Sequence, residues 1–130
     1  MSERQHVSSG SPYEATIGFS RAVRVGRHIA VSGTAPVGAD GTVDPDPLAQ
    51  ARRCWEIAIA ALGEAGGRLE NVVRTRTYLT DAMYERPATT AHAEHFSAVR
   101  PASTMVVVAA LLDPRWVVEV ELDAILADPR

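Results

Sequence analysis

The sequence predicts an α+β domain, one mixed β-sheet with two helices covering a single face, and three observations carry that prediction. Val118, Val120, Leu122, Ala124 and Leu126 alternate with Glu119, Glu121 and Asp123, the period of a strand with one face in a core. Leu48 to Glu64 runs without a breaker and repeats apolar residues at helical spacing. The patterns follow the order β-β-α-β-α-β-β. Helices between strands exclude tight hairpins at those joints, so the economical packing lays both helices on one sheet face.

Met1 to Pro12 is polar and ends in Ser8-Ser9-Gly10-Ser11-Pro12, so little structure is expected there. Residues 1–15 are read as a flexible or peripheral start to a single domain of residues 1–130. Arg21 to Val25 and Arg27 to Ser32 are short strand patterns parted by Gly26, which predicts a hairpin with Val23, Val25, Ile29 and Val31 as its apolar positions. Gly33 ends the second of these strands. Asp40-Gly41 marks a tight turn, and Asp44-Pro45-Asp46-Pro47 blocks regular pairing.

Asp46 then stands where a helix takes its N-cap, with Pro47 at the first helical position. The stripe Leu48, Ala51, Cys54, Trp55, Ala58, Ala61, Leu62, Ala65 follows, with Gln50, Arg53 and Glu64 largely elsewhere, and Gly66-Gly67 stops the helix. Its many alanines fit a close approach to the sheet. Val72 to Leu79 reads as the third strand, with Val73, Thr75, Thr77 and Leu79 on one face and Arg74, Arg76 and Tyr78 on the other. Tyr84 to Val99 reads as the second helix, with Pro87 limiting how early its hydrogen-bonded body begins. Thr104 to Leu112 and Val117 to Leu126 supply the last two strands, divided by Asp113-Pro114-Arg115.

Length and charge exclude several classes. The 130 residues suit one domain with a core of its own, and the lone Cys54 rules out an intrachain disulfide or a cysteine metal cluster. A reducing compartment, the cytoplasm, is therefore expected. No basic-then-apolar leader and no membrane-length apolar run is present. The net charge of −3 and scattered arginines give no stripe for a phosphate backbone, so nucleic acid is not an expected partner.

The uncovered sheet face carries Arg74, Arg76 and Tyr78 on one strand and Glu119, Glu121 and Asp123 on another. Three carboxylates two residues apart repel unless something compensates them. Packing of bare faces from several copies would let basic residues of one strand offset acids of another and turn the seams into clefts. His92 and His95 stand at i, i+3 near Glu94, a minimal metal-ligand pattern without a third ligand at recognisable spacing, so packing is the better expectation and no metal is assigned. Cys54, inside an apolar stripe, is expected to be an inert buried thiol. Pairing with the strand acids is the cheaper role for Arg74 and Arg76 than anion binding.

Four blocks, VSGTAP at Val31 to Pro36, QARRCWEIAIAALGEAGG at Gln50 to Gly67, VVRTRTYLTD at Val72 to Asp81, and RPASTMVVVAALL followed by VEVELDAI, resemble the RidA family, also called YjgF or L-PSP proteins. The resemblance spans Phe19 to Leu126. It implies a homotrimer of chorismate-mutase-like subunits with three intersubunit clefts, which in one branch hydrolyse reactive enamines and imines to 2-oxo acids and ammonia. No cofactor is implied. Carried over residue by residue, Glu119 matches the glutamate that positions or activates water, a task suited to a partly shielded carboxylate. Ser32 and Gly33 match the strand-end pair that meets the ligand.

Other positions depart from the family pattern. The deaminating branch has an arginine after Pro-Ala that grips a substrate carboxylate with a two-pronged, charge-assisted bond. Here Ser103 follows Pro101-Ala102, which costs affinity for a 2-imino acid something like ~2 kcal/mol or more if nothing replaces the fork. Arg100 replaces it only if its loop turns inward. Phe19 matches the family's site tyrosine without the hydroxyl, Thr89 falls where an asparagine is expected, and Met105 stands in for a site cysteine. Three functions follow: an imine or enamine hydrolase using Glu119, a non-catalytic metabolite-binding or regulatory trimer, and, third, the endoribonuclease behind an old family name. Ser103 further suggests ligands that lack a carboxylate.

Overall fold

The computed structural model describes residues 3–128. Six strands form one sheet: β1 (Arg4–Val7), β2 (Ala22–Val25), β3 (His28–Thr34), β4 (Val72–Leu79), β5 (Ala102–Val107) and β6 (Val118–Ile125). Helix α1 (Pro47–Glu64) joins β3 to β4, and α2 (Glu85–Phe96) joins β4 to β5. The spatial order is β1-β2-β3-β6-β4-β5, antiparallel throughout except for the parallel β4–β5 pair. Because β6 runs antiparallel between β3 and β4, those two strands are parallel to each other. Both crossovers, β3-α1-β4 and β4-α2-β5, therefore step the same way across the sheet, and right-handed crossovers put both helices on one face, as the sequence predicts.

Asp46 caps α1 by accepting a hydrogen bond from the Ala49 N–H at 2.9 Å, with Pro47 in the first turn. The stripe of α1 is buried: Ala51, Cys54, Trp55, Ala58, Ala61 and Leu62 pack on Val118, Val120, Leu122 and Ala124 of β6 and Ile29 and Val31 of β3. Gly66 takes φ +95 just past the helix end, and Arg24 reaches across to donate to the Ala65 carbonyl at 3.0 Å.

Several expectations need correction. Arg4–Val7 is a strand, not an unstructured start, paired along its length with β2 at the sheet edge. A single π-helical turn, Glu14–Gly18, follows it, and Glu14 holds the Ser8–Ser9 segment through its carboxylate. β3 continues through Gly33 to Thr34, with a register shift against β6 between Val31 and Thr34. A second shift, between Val72 and Arg74, buries Val72 and leaves Val73 exposed, the reverse of strict alternation. In the hairpin, Ala22 and Arg24 face the helices and Val23 and Val25 the other side, because Ala22 pairs with Val31 and Arg24 with Ile29. α2 ends three residues before Val99, and β5 begins at Ala102 and stops at Val107, well short of Leu112.

Gln50 belongs to the core although the apolar stripe of α1 passes it by. Its amide donates to the Asp44 and Arg115 carbonyls and accepts from the Val117 N–H, each at 2.9 Å. One side chain thus ties the loop before α1 to the turn before β6.

Candidate functional site

The helix-free sheet face has an apolar region and a polar band. Val23, Val25, Val73 and Ile125 line a shallow depression of about 540 Å³ at the apolar end. Along the band, Tyr78 pairs with Glu119, Arg76 with Glu121 and Arg74 with Asp123 across the β4–β6 ladder. Arg76 contacts Asp123 at 3.1 Å and Glu121 at 4.0 Å, and the Tyr78 hydroxyl donates to Glu121. The charge compensation expected between copies is thus already made within one chain for these two acids. Arg74 donates instead to the Thr104 hydroxyl at 2.9 Å.

Glu119 stands apart from that network. Its carboxylate lies directly over Gly33 of the neighbouring β3, so that a Cβ on residue 33 would overlap Oε2. The irregular register between Val31 and Thr34 lets β3 pass beneath it, and only glycine leaves the room. Burial pushes the Glu119 carboxyl above its ordinary range and the nearby Glu121 adds to this, while Arg21 opposes it. Arg21, itself half-buried, donates to the Gly33 carbonyl at 3.3 Å and the Thr34 hydroxyl at 2.8 Å. Glu119, Gly33 and Arg21 therefore form one unit: a partly desolvated acid, a bare backbone and a cation. Such an acid exchanges protons nearer neutrality than a solvated one. Sequence reasoning missed Arg21, whose only signal was its place at the start of the hairpin.

The remaining candidates divide. Ser32 is next to Gly33, but its hydroxyl is engaged with the Ser20 carbonyl at 2.6 Å. Phe19, 37% exposed, joins Arg21 in a groove of about 660 Å³ beside α1 that includes neither Glu119 nor Ser103. Ser103 and Met105 pair with Thr75 and Thr77, which puts them on the helix side of edge strand β5, away from the Glu119 face. Thr89 is exposed on α2, its hydroxyl bonded to the Arg86 carbonyl at 3.0 Å. Arg100 is exposed at the exit of α2 with φ 56, a left-handed conformation unusual for a non-glycine residue. A single chain therefore keeps Ser32, Gly33 and Glu119 together and holds Ser103 and Met105 on the other side of the sheet, with Thr89 apart on α2.

His92 is not poised as a metal ligand. Its ring packs edge-on to Trp55 at 5.6 Å and against Phe96 at 4.7 Å, and Nε2 lies 2.8 Å from the Thr75 hydroxyl. Cys54 is fully buried, its thiol directed at the Val118 carbonyl at 3.7 Å, and burial raises its pKa far beyond the thiolate range. No helix among the described residues is long and apolar enough to cross a membrane.

Two helical crossovers over one sheet face, with a half-buried acid above a glycine in the sheet, define a small α+β domain. Residues 10–126 match the family model described as endoribonuclease L-PSP. The chain belongs to that family, the YjgF or RidA proteins. A crystal structure of a Mycobacterium tuberculosis member of the highly conserved YjgF/YER057c/UK114 family is 43% identical, with a TM-score of 0.87 over 95% of this chain and all of that one. The YjgF gene product of Escherichia coli is 28% identical, with a TM-score of 0.81 over 93% of this chain and 98% of that one. Among curated relatives, a RutC family protein of Pyrococcus abyssi is 33% identical over 82% of this chain and 84% of its own length. An uncharacterized Streptomyces coelicolor protein is 37% identical over 92% of this chain and 90% of its own length.

Proposed function

We propose that this protein is a cytoplasmic homotrimer whose intersubunit clefts bind small metabolites and hydrolyse reactive imines and enamines to a carbonyl compound and ammonia, with Glu119 as the catalytic group. The observation that carries the reading is the half-buried Glu119 carboxylate held over the bare backbone of Gly33. As water attacks the carbon of the protonated imine, Glu119 takes one water proton while the C=N electron pair moves to nitrogen, giving a neutral carbinolamine. Glu119 then returns that proton to nitrogen, and as the C–N bond breaks and ammonia leaves, it takes the carbinolamine hydroxyl proton, so that the carbonyl forms, and passes it to solvent. A carboxyl with a raised pKa serves both steps, and its protonated form can also deliver the proton that turns an enamine into an imine.

Two features support assembly as the condition for a pocket. Glu119 lines neither of the two depressions described above, and it lies on the opposite side of the sheet from Ser103. Exposed Val25, Val73 and Ile125 on the bare face, with Val106 and Val107 on the outer strand β5, offer surface for neighbouring copies. Packed this way, Phe19, Ser32, Gly33 and Glu119 of one subunit would meet Thr89, Ser103 and Met105 of the next, with Arg100 at the rim.

Ammonia release from freshly generated 2-iminopropionate and from an uncharged imine, each compared with Glu119→Gln, tests the proposal. Turnover that disappears in the variant supports it, and equal rates in the two proteins overturn it. Ser103 favours a second reading, a non-catalytic metabolite-binding or regulatory trimer, because a hydroxyl replaces the guanidinium that would grip a carboxylate. Ligand binding with no turnover of either imine would select it. The ribonuclease reading has the least support, since Arg76 on the open face is already engaged with acids. Absence of salt-dependent RNA retention ends it.

A further inference from the structure

Beneath the exposed Ser103 runs a hydrogen-bonded chain into the protein. Thr75, fully buried, donates its hydroxyl proton to Ser103 Oγ at 2.9 Å and sits 2.8 Å from His92 Nε2. A hydroxyl has one proton, so once Thr75 gives it to Ser103, the contact with His92 requires the imidazole to donate from Nε2. Trp55 and Phe96 clamp the ring, which fixes where that N–H points. Burial, with help from His95, lowers the His92 pKa and keeps the ring neutral. Each link fixes the polarity of the next, and Ser103, already an acceptor from Thr75, has its own proton left to offer outward.

We propose that Ser103 is the ligand-contacting end of a His92–Thr75–Ser103 chain, and that this chain makes it an oriented, uncharged donor to the carbonyl oxygen or imine nitrogen of a ligand lacking a carboxylate. Thr75 and His92 are positioning residues and do not touch the ligand. The inference deepens the cleft described above and rests on Ser103 lining it, but not on any turnover by Glu119. A neutral donor held in place by buried partners binds a neutral acceptor without the desolvation cost of a guanidinium, whereas a carboxylate there meets no compensating charge.

The test uses the full-length protein and a non-hydrolysable neutral probe, 2-pyrrolidinone, against pyruvate as the anionic comparison, with binding followed by two-dimensional NMR titration. The lactam is expected to bind more tightly than pyruvate. Thr75→Val, which keeps the side-chain volume, and Ser103→Ala are each expected to weaken lactam binding about tenfold, the loss of one oriented hydrogen bond. Thr75→Ser restores it, which a merely structural role for Thr75 would not produce. Because Ser103 is exposed, Ser103→Ala decides the matter if Thr75→Val fails to fold. Long-range proton–nitrogen spectra are expected to find the His92 proton on Nε2. A wild-type protein that prefers pyruvate or ignores the lactam, lactam binding unchanged in folded Thr75→Val or in Ser103→Ala, or a His92 proton on Nδ1, overturns the proposal. A catalytically silent Glu119 with these binding effects intact would refute the hydrolase reading and leave this one standing.

Discussion

Replacing Gly33 with alanine should reverse its effect on stability according to what stands at position 119. Gly33 lies in β3 without a left-handed φ, so alanine suits its backbone, and such a change ordinarily stabilises by about 0.4–1 kcal/mol through the unfolded chain. Here the new Cβ would overlap Glu119 Oε2. The displaced atom is the end of a flexible side chain, so the overlap should cost about 1–2 kcal/mol, the lower part of the range for overpacking. The net expectation is a loss of about 0.5–1 kcal/mol with Glu119 present. In a Glu119→Ala background the same substitution should gain about 0.5 kcal/mol. Urea unfolding of the four proteins at one fixed chain concentration closes the cycle, with a coupling of about 1–1.5 kcal/mol. The same sign in both backgrounds would refute the carboxylate-over-glycine geometry.

Three further outcomes follow from named contacts. Gln50→Leu should cost about 2–4 kcal/mol in chemical unfolding, because it strands the Val117 N–H and the Asp44 and Arg115 carbonyls together. Arg100→Gly should stabilise by about 0.5–1 kcal/mol, since glycine adopts the observed left-handed φ freely, and a loss of thermal stability would count against that backbone conformation. The Glu119 carboxyl is raised above 4.5 in the folded chain, so the folded state holds this proton more tightly than the unfolded one. Its contribution is therefore favourable at low pH and is lost as pH rises through the folded value. Glu119→Gln should be more stable than the wild type at neutral pH, with the advantage shrinking as pH falls through the raised folded value and gone below about 4. Imine hydrolysis by the wild type should rise over the same window as the carboxylate forms.

The sheet with both helices on one face was legible because its signals are local. Asp46-Pro47 at the start of α1 and the alternation from Val118 to Ala124 need no knowledge of the partner strand. Register shifts depend on that partner, which is why Val72 and Val73 exchange faces and why β3 runs on through Gly33. Arg4–Val7 gave no warning, because an edge strand pairs through its backbone on one side and its side chains Arg4, Gln5 and His6 remain exposed. Gln50 was hidden for the opposite reason: a polar residue reads as surface until its three hydrogen-bond partners, one of them 67 positions away, are in place. In the candidate site, the close approach of Glu119 to Gly33 depends on how β3 is registered against β6, which no local pattern reveals. The chain from Ser103 to His92 had no sequence signal at all, since its members lie on three different elements.

On the proposed reading, several copies must meet before a pocket forms around Glu119. Light-scattering mass of the wild-type protein at micromolar concentration tests it most directly. Three times the chain mass, falling when Ile125→Lys charges the open sheet face, is the expected result. A wild-type protein with the mass of one chain would contradict it.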